Sequence, residues 1–270
     1  MPSQLFDEET EQALKEIFKT FSRPVKDYLV VLSLKEAMEH THEHEHEHEH
    51  HHHHHHHHHH AYFSLKPAVV EECPTCGEAW MLATELSKIS GGALSFEVVE
   101  KQNAKDLRPR YLPAFIYGSS GLNIRYYGLP SGQEFAPFIY VHQYIATGEV
   151  KLSSKVKEVV ESIDTPLHVK IFVTPECPYC PIVVDYFNQM ALVNKQIWVE
   201  TIEAIELPYE ADLYGVQAVP YVTINKMEDY DKYGAEPVEI IPGYVPPEQA
   251  SKVLARAERK IKRGDTSGKK

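Results

Sequence analysis

The chain has 270 residues, enough for two ordinary domains, and its 43% hydrophobic content fits a globular protein with a substantial core. A formal net charge of −12 argues against a nucleic-acid partner, because phosphate binding needs a basic surface. No apolar run reaches the roughly 18 residues of a membrane span. The acidic start, Met1 to Thr10, also lacks the basic-then-apolar pattern of a secretory leader, so a cytoplasmic location without a membrane partner is expected.

Leu14, Ile17, Phe18 and Phe21 carry the i, i+3, i+4, i+7 spacing of a helix face. Pro24 then introduces a strand-like run, Tyr28 to Leu32. A low-complexity insertion follows at about 34–70, where His/Glu alternation from His40 to His50 runs into unbroken histidine to His60. Such a tract cannot pack a core and predicts a loop. The place where Tyr62–Val70 rejoins the fold is not evident from the pattern. After Cys73-Pro74-Thr75-Cys76, a second helix face comprises Ala79, Leu82, Leu86 and Ile89, ended by Gly91 and Gly92. Leu94–Val99 reads as a strand. The segment from Lys101 to Arg110 is short and contains Pro109, which weighs against a helix. Strands are expected from Pro113 to Tyr117 and from Ile124 to Tyr127, closing at Gly128, before a terminal helix from about Ser131 to Thr147.

The second half repeats this plan. Val156, Val159, Val160 and Ile163 reproduce the first helix face 142 positions on, from Leu14 to Val156. Pro166 opens a strand, Val169–Val173, which leads to Cys177-Pro178-Tyr179-Cys180. Then come a helix (Val183, Phe187, Met190, Val193), a strand (Ile197–Ile202), a short helix (Tyr209–Gly215), strands from Pro220 to Ile224 and Val238 to Ile241, and a last helix from Pro247 to Ile261. The expected organisation is two units, 1–150 and 151–270, each a central mixed sheet flanked by helices, an α/β plan.

The two Cys-Pro-x-Cys motifs contain every cysteine in the chain. Disulfide exchange proceeds by thiolate attack, so the nucleophile must be ionised and accessible. A cysteine at a helix N-terminus faces unpaired amides and the positive end of the dipole, and proline suits the next position. Residues three apart are close enough to bond after a modest adjustment. Cys73 and Cys177 are therefore expected to attack, and Cys76 and Cys180 to resolve. The alternative, one structural zinc on four thiolates, is disfavoured because zinc ribbons separate their pairs by about 15–20 residues. Here Cys76 and Cys177 lie far apart, each in its own repeat.

Glu71 and Glu72 abut Cys73, whereas only Glu176 abuts Cys177, so local charge favours ionisation of Cys177. No buried acid is identifiable as a proton acceptor; Glu203 and Glu206 are candidate substitutes, weighed against the favoured reading of them as solvated or salt-bridged carboxylates. His142 and His168 read as packing or surface residues. The histidine tract could hold divalent metal, adventitious or regulatory, so a metal-handling protein stands as the alternative function.

CxxC at a helix start, with Leu112-Pro113 and Val219-Pro220 about 40 residues on, resembles the thioredoxin superfamily. More closely, Thr174-Pro-Glu-Cys-Pro-Tyr-Cys-Pro181, Glu203-Ala-Ile-Glu206 and Ala218-Val-Pro220 resemble the tandem protein disulfide oxidoreductases, or glutaredoxin-like proteins, of thermophilic archaea and some bacteria. The likeness covers nearly the whole chain outside the histidine tract, and the first half departs from it at Thr75 and Gly77. It implies two fused thioredoxin-like units whose cis-prolines face the cysteines. Leu112 and Val219, with Pro113 and Pro220, would pair with extended client segments. It further implies protein-disulfide oxidoreduction through redox-active disulfides with no bound organic cofactor, disulfide-bearing client proteins, and an NADPH-dependent, thioredoxin-reductase-like flavoprotein as electron source.

Overall fold

Asp7 opens the first helix: its carboxylate accepts the Thr10 amide at 2.7 Å, satisfying a donor that the helix itself leaves free. In the computed structural model, which describes residues 5–43 and 72–267, this helix is α1 (Glu8–Lys19), and Leu14 and Phe18 are its buried face. The first half continues as β1 (Val25–Val31), α2 (Leu34–Glu43), α3 (Cys76–Ile89), β2 (Leu94–Glu100), β3 (Ala114–Ile116), β4 (Ile124–Tyr127) and α4 (Phe135–Thr147). The second comprises α5 (Ser154–Glu161), β5 (Leu167–Val173), α6 (Cys180–Val193), β6 (Ile197–Glu203), α7 (Tyr209–Leu213), β7 (Tyr221–Lys226), β8 (Glu239–Pro242) and α8 (Pro247–Ser267). Where the second half has α7, the first has two single 3-10 turns, Lys101–Asn103 and Lys105–Leu107.

One expectation is corrected. The insertion read as a loop from about residue 34 begins as helix α2. The Leu34 amide donates to Glu100 at 2.9 Å, and Ala37 is buried against the neighbouring helix α3. The apolar residues Leu34, Ala37 and Met38 precede the histidines, so composition placed the boundary too early. The tract beyond Glu43, the segment Tyr62–Val70 and Glu71 lie outside the described residues.

The eight strands form one sheet in the order β2-β1-β3-β4-β6-β5-β7-β8. Each half contributes four strands in the same relative order. One pair is parallel (β1 with β2, β5 with β6) and the others are antiparallel. The halves join where β4 runs parallel to β6, Ile124 opposite Val199 and Tyr127 opposite Ile202. The expected two central sheets are thus two halves of a continuous one. β1 and β5 are parallel, and both crossovers, β1–α3–β2 and β5–α6–β6, step the same way across the sheet. Right-handed connections therefore place α3 and α6 on one face, where residues of α1, α3, α4, α5, α6 and α8 share a single core. A smaller core on the opposite face holds Leu112, Tyr127, Phe172 and Ala211 of α7.

Beside this smaller core the halves are also tied by buried charge. Arg110 meets Glu200 at 3.0 Å and Glu210 at 2.7 Å, and Lys170 meets Glu210 at 2.7 Å. His168 packs here, fully buried, 3.1 Å from Glu200. His142 is equally buried and faces Asp27 at 2.5 Å. Both histidines are packing residues, as expected.

Candidate redox-active site

The second CxxC turn follows directly from the C-terminal end of β5, and the first, though α2 and the tract intervene in sequence, lies beside Leu32 at the C-terminal end of β1, so both sit at the same end of the sheet. Within each pair the sulfurs are bonded, with Cα atoms 5.4 Å apart for Cys73–Cys76 and 5.5 Å for Cys177–Cys180. Four strand spacings separate β1 from β5, placing the two disulfides roughly 19 Å apart.

The helices do not begin where the sequence suggests. α3 starts at Cys76 and α6 at Cys180, with Thr75 and Tyr179 at the capping positions. Cys73 and Cys177 precede them by a full turn. At the second site the sulfur performs the capping task itself, since the Cys180 amide donates to Cys177 Sγ at 3.2 Å. An amide aimed at that sulfur favours negative charge on it. At the first site the equivalent amide, of Cys76, donates instead to the Cys73 carbonyl oxygen at 3.3 Å.

In each pair the first cysteine is the more accessible. Cys73 is half-buried against a buried Cys76, and Cys177 is 8% exposed against 0% for Cys180. The surroundings differ. Tyr179 is 56% exposed and stacks on exposed Tyr244, ring centres 5.5 Å apart, and exposed Ile182 follows in α6. The first disulfide instead borders a cavity of about 170 Å³ between Leu32, Glu36 and Ala37 on one side and Pro74 on the other. Both Leu112–Pro113 and Val219–Pro220 are cis. Leu112 and Pro113 are buried, whereas Val219 is partly exposed beside buried Pro220. The residue preceding the cis-proline is therefore more open at the second site.

Between the disulfides runs the β4–α4 loop, 128–134, which belongs to the first half but is fastened to the second. The Gln133 amide donates to the Pro175 carbonyl at 2.8 Å, two residues before Cys177. Gly132 adopts φ +58°, and a Cβ there would sit 2.4 Å from the same carbonyl oxygen. The turn Gly132–Glu134 packs on α6 and buries Glu134 completely, with neither carboxyl oxygen hydrogen-bonded. Burial, reinforced by the charge of Glu203, pushes the Glu134 carboxyl up to about 8.

Against the favoured reading, neither Glu203 nor Glu206 forms an ion pair among the described residues, and Glu203 is withdrawn from solvent. Glu203 is buried and accepts the amides of Ile205 and Glu206, both at 2.9 Å; burial raises its carboxyl. Glu206 is half-buried, accepts the Leu129 amide at 2.9 Å, and receives the Thr75 hydroxyl. Burial raises it as well, more than these bonds lower it. Sequence reasoning missed Glu134 entirely. The only hint was a pair of glycines, Gly128 and Gly132, flanking the loop. Among the described residues no group of three or more His, Cys, Asp or Glu side chains could hold a metal ion, and no helix is long and apolar enough to cross a membrane.

A family model for the thioredoxin domain matches residues 167–239. Among solved structures, the alkylhydroperoxide reductase AhpF of Enterococcus faecalis V583 superposes with a TM-score of 0.68 at 16% identity. The match covers 93% of this chain and 100% of that one. A protein disulfide oxidoreductase of Aeropyrum pernix K1 gives 0.66 at 23% identity, covering 93% and 94%. Curated relatives include an NADH dehydrogenase of Bacillus subtilis strain 168, 26% identical over 38% of this chain, and an alkyl hydroperoxide reductase component of Pseudomonas aeruginosa, 26% identical over 49%. The chain spans only 20% and 25% of those two relatives' own lengths. The chain is a thioredoxin-fold protein built of two thioredoxin-like units in tandem.

Proposed function

We propose that the protein is a protein disulfide oxidoreductase, exchanging disulfides with client proteins through Cys73–Cys76 and Cys177–Cys180, with the units meeting near residue 150. The observation that carries this reading is the second site. A disulfide there spans a helix start, its outer sulfur accepts a helix amide, and its inner sulfur is buried. In the reducing direction, the Cys177 thiolate attacks one sulfur of a client disulfide, and the other client sulfur leaves as a thiolate. Cys180, after losing its proton, attacks Cys177 in the mixed disulfide. That step releases the second client sulfur and closes the Cys177–Cys180 bond, so two electrons pass from the pair to the client. Glu134, buried on the turn that packs against α6, is our candidate acceptor for the Cys180 proton once its own carboxyl has ionised. Tyr179, Tyr244 and Val219 offer an apolar rim for the client chain. Cys73 and Cys76 play the corresponding parts at the first site, beside Leu112 and Pro113.

No bound organic cofactor is needed. Electrons are supplied in a cytoplasmic setting by an NADPH-dependent, thioredoxin-reductase-like flavoprotein. Similarity to a protein named NADH dehydrogenase supports a nicotinamide-linked source. A regulatory metal on the histidine tract is supported by helix α2, which leads into the tract and packs on α3 at the first disulfide. Zinc or nickel titration that leaves first-site thiol reactivity unchanged would remove it. The function itself is tested by dithiothreitol-driven insulin reduction, comparing wild type with Cys177→Ser and Cys73→Ser. An inactive wild type defeats the proposal.

A further inference from the structure

We propose that the second unit completes the first redox site: Glu206 is a positioning residue for Cys73–Cys76 and acts through the hydroxyl of Thr75. This rests on the reading of Cys73–Cys76 as a redox pair. Thr75 occupies the capping position of α3, where a threonine side chain ordinarily accepts a helix amide. It makes no such bond; its hydroxyl is turned across the unit boundary onto Glu206.

The geometry around Glu206 shows a carboxylate built for its neighbour. One oxygen takes the Thr75 hydroxyl and the other the Leu129 amide at 2.9 Å, so both donors belong to the first unit. Its own unit instead fixes the turn from behind, where Glu203 accepts the Glu206 amide at 2.9 Å. Gly128, at φ +97°, makes room for this approach, since a Cβ there would come 3.0 Å from the same Glu206 oxygen that Leu129 serves. Nothing comparable exists at the second site, where the residue between Pro178 and Cys180 is Tyr179, turned outward onto Tyr244.

The charged groups that act on Glu206 are themselves acidic: Glu203 from its own turn and Glu78 from α3. Reduction of the first pair consumes two electrons and two protons from a dithiol donor and yields the Cys73 and Cys76 thiols. Ionising Cys73 then places a second negative charge at the turn that Glu206 already holds. Thiolate formation at Cys73 and proton binding at Glu206 are therefore linked, each favouring the other. The first site ionises reluctantly while Glu206 is charged and readily once it is neutral.

The test uses the full chain carrying Cys177→Ser and Cys180→Ser, reduced with dithiothreitol, with iodoacetamide alkylation of Cys73 followed against pH. Glu206→Gln should move the inflection down by about half to one pH unit. Thr75→Val, which strips a donor from the carboxylate and so keeps it protonated to higher pH, should move it the same way. Thr75→Ser should restore the wild-type profile. Superimposable wild-type and Glu206→Gln profiles would overturn the proposal, as would a Thr75→Val shift that serine does not rescue. A shift of equal size at Cys177 in the Cys73→Ser, Cys76→Ser chain would also overturn it. Because alkylation needs no client, a first pair that shows the shift yet never turns over insulin refutes the redox function alone.

Discussion

Glu134 makes the stability of this protein depend on pH in a direction opposite to that of an ordinary carboxylate. Its ordinary value of 4.5 is raised to about 8 in the fold, chiefly by burial and then by Glu203. In the unfolded chain the group loses its proton near 4.5, whereas the folded chain keeps it until about 8. Stability is therefore fully present below 4.5 and falls as pH rises through this window, by about 1.4 kcal/mol per pH unit. The whole interval amounts to at most about 5 kcal/mol. Glu134→Gln removes the titration while preserving shape. Urea unfolding of the oxidised protein should give midpoints within error of each other near pH 4.5, with the variant the more stable by several kcal/mol at pH 8. Parallel stability profiles for the two proteins from pH 4.5 to 8 would refute the reasoning and remove Glu134 as the proton acceptor for Cys180.

Alkylation against pH on the two single-site proteins should show a lower inflection for Cys177 than for Cys73, since only Cys177 accepts a helix amide; the reverse order contradicts the assigned asymmetry. Gly132→Ala should cost more in thermal stability than Gly148→Ala. Both are left-handed, worth about 1 kcal/mol each, but only Gly132 has a carbonyl 2.4 Å from the new methyl. Equal losses would show that the 128–134 loop is not pressed against Pro175. Arg110→Met removes the guanidinium from buried Glu200 and leaves Glu210 with Lys170 as its remaining cation, and should cost roughly 3–5 kcal/mol in denaturant melts. A loss below about 1 kcal/mol would show the network to be dispensable.

The repeat was legible because apolar spacing survives in both copies. Leu14 and Phe18 are buried, and so are their counterparts Val156 and Val160. The two disulfides were legible because all four cysteines fall in the two Cys-Pro-x-Cys motifs. Helix starts were misplaced by a turn because proline after cysteine suits a first helical position, but the geometry of the CxxC turn delays regular helix to the second cysteine. The acids were read poorly for a different reason. Whether Glu134, Glu203 or Glu206 is buried depends on the β4–β6 pairing, which brings residues some 70 positions apart into contact, such as Leu129 and Glu206. Local sequence carries no trace of that pairing.

The seam between β4 and β6 also bears on how such a chain could be divided. All four residues of β4 are buried, as are six of the seven in β6. A half cut near residue 150 would expose a row of unpaired amides and carbonyls on an apolar strand, the feature that invites edge-to-edge aggregation. It would also break the bonds that Thr75 and Leu129 make to Glu206 and the packing of the Gly132–Glu134 turn on α6. The repeat visible in the sequence is thus closed into one sheet by the β4–β6 pairing, so separating the halves means breaking a ladder rather than cutting a linker.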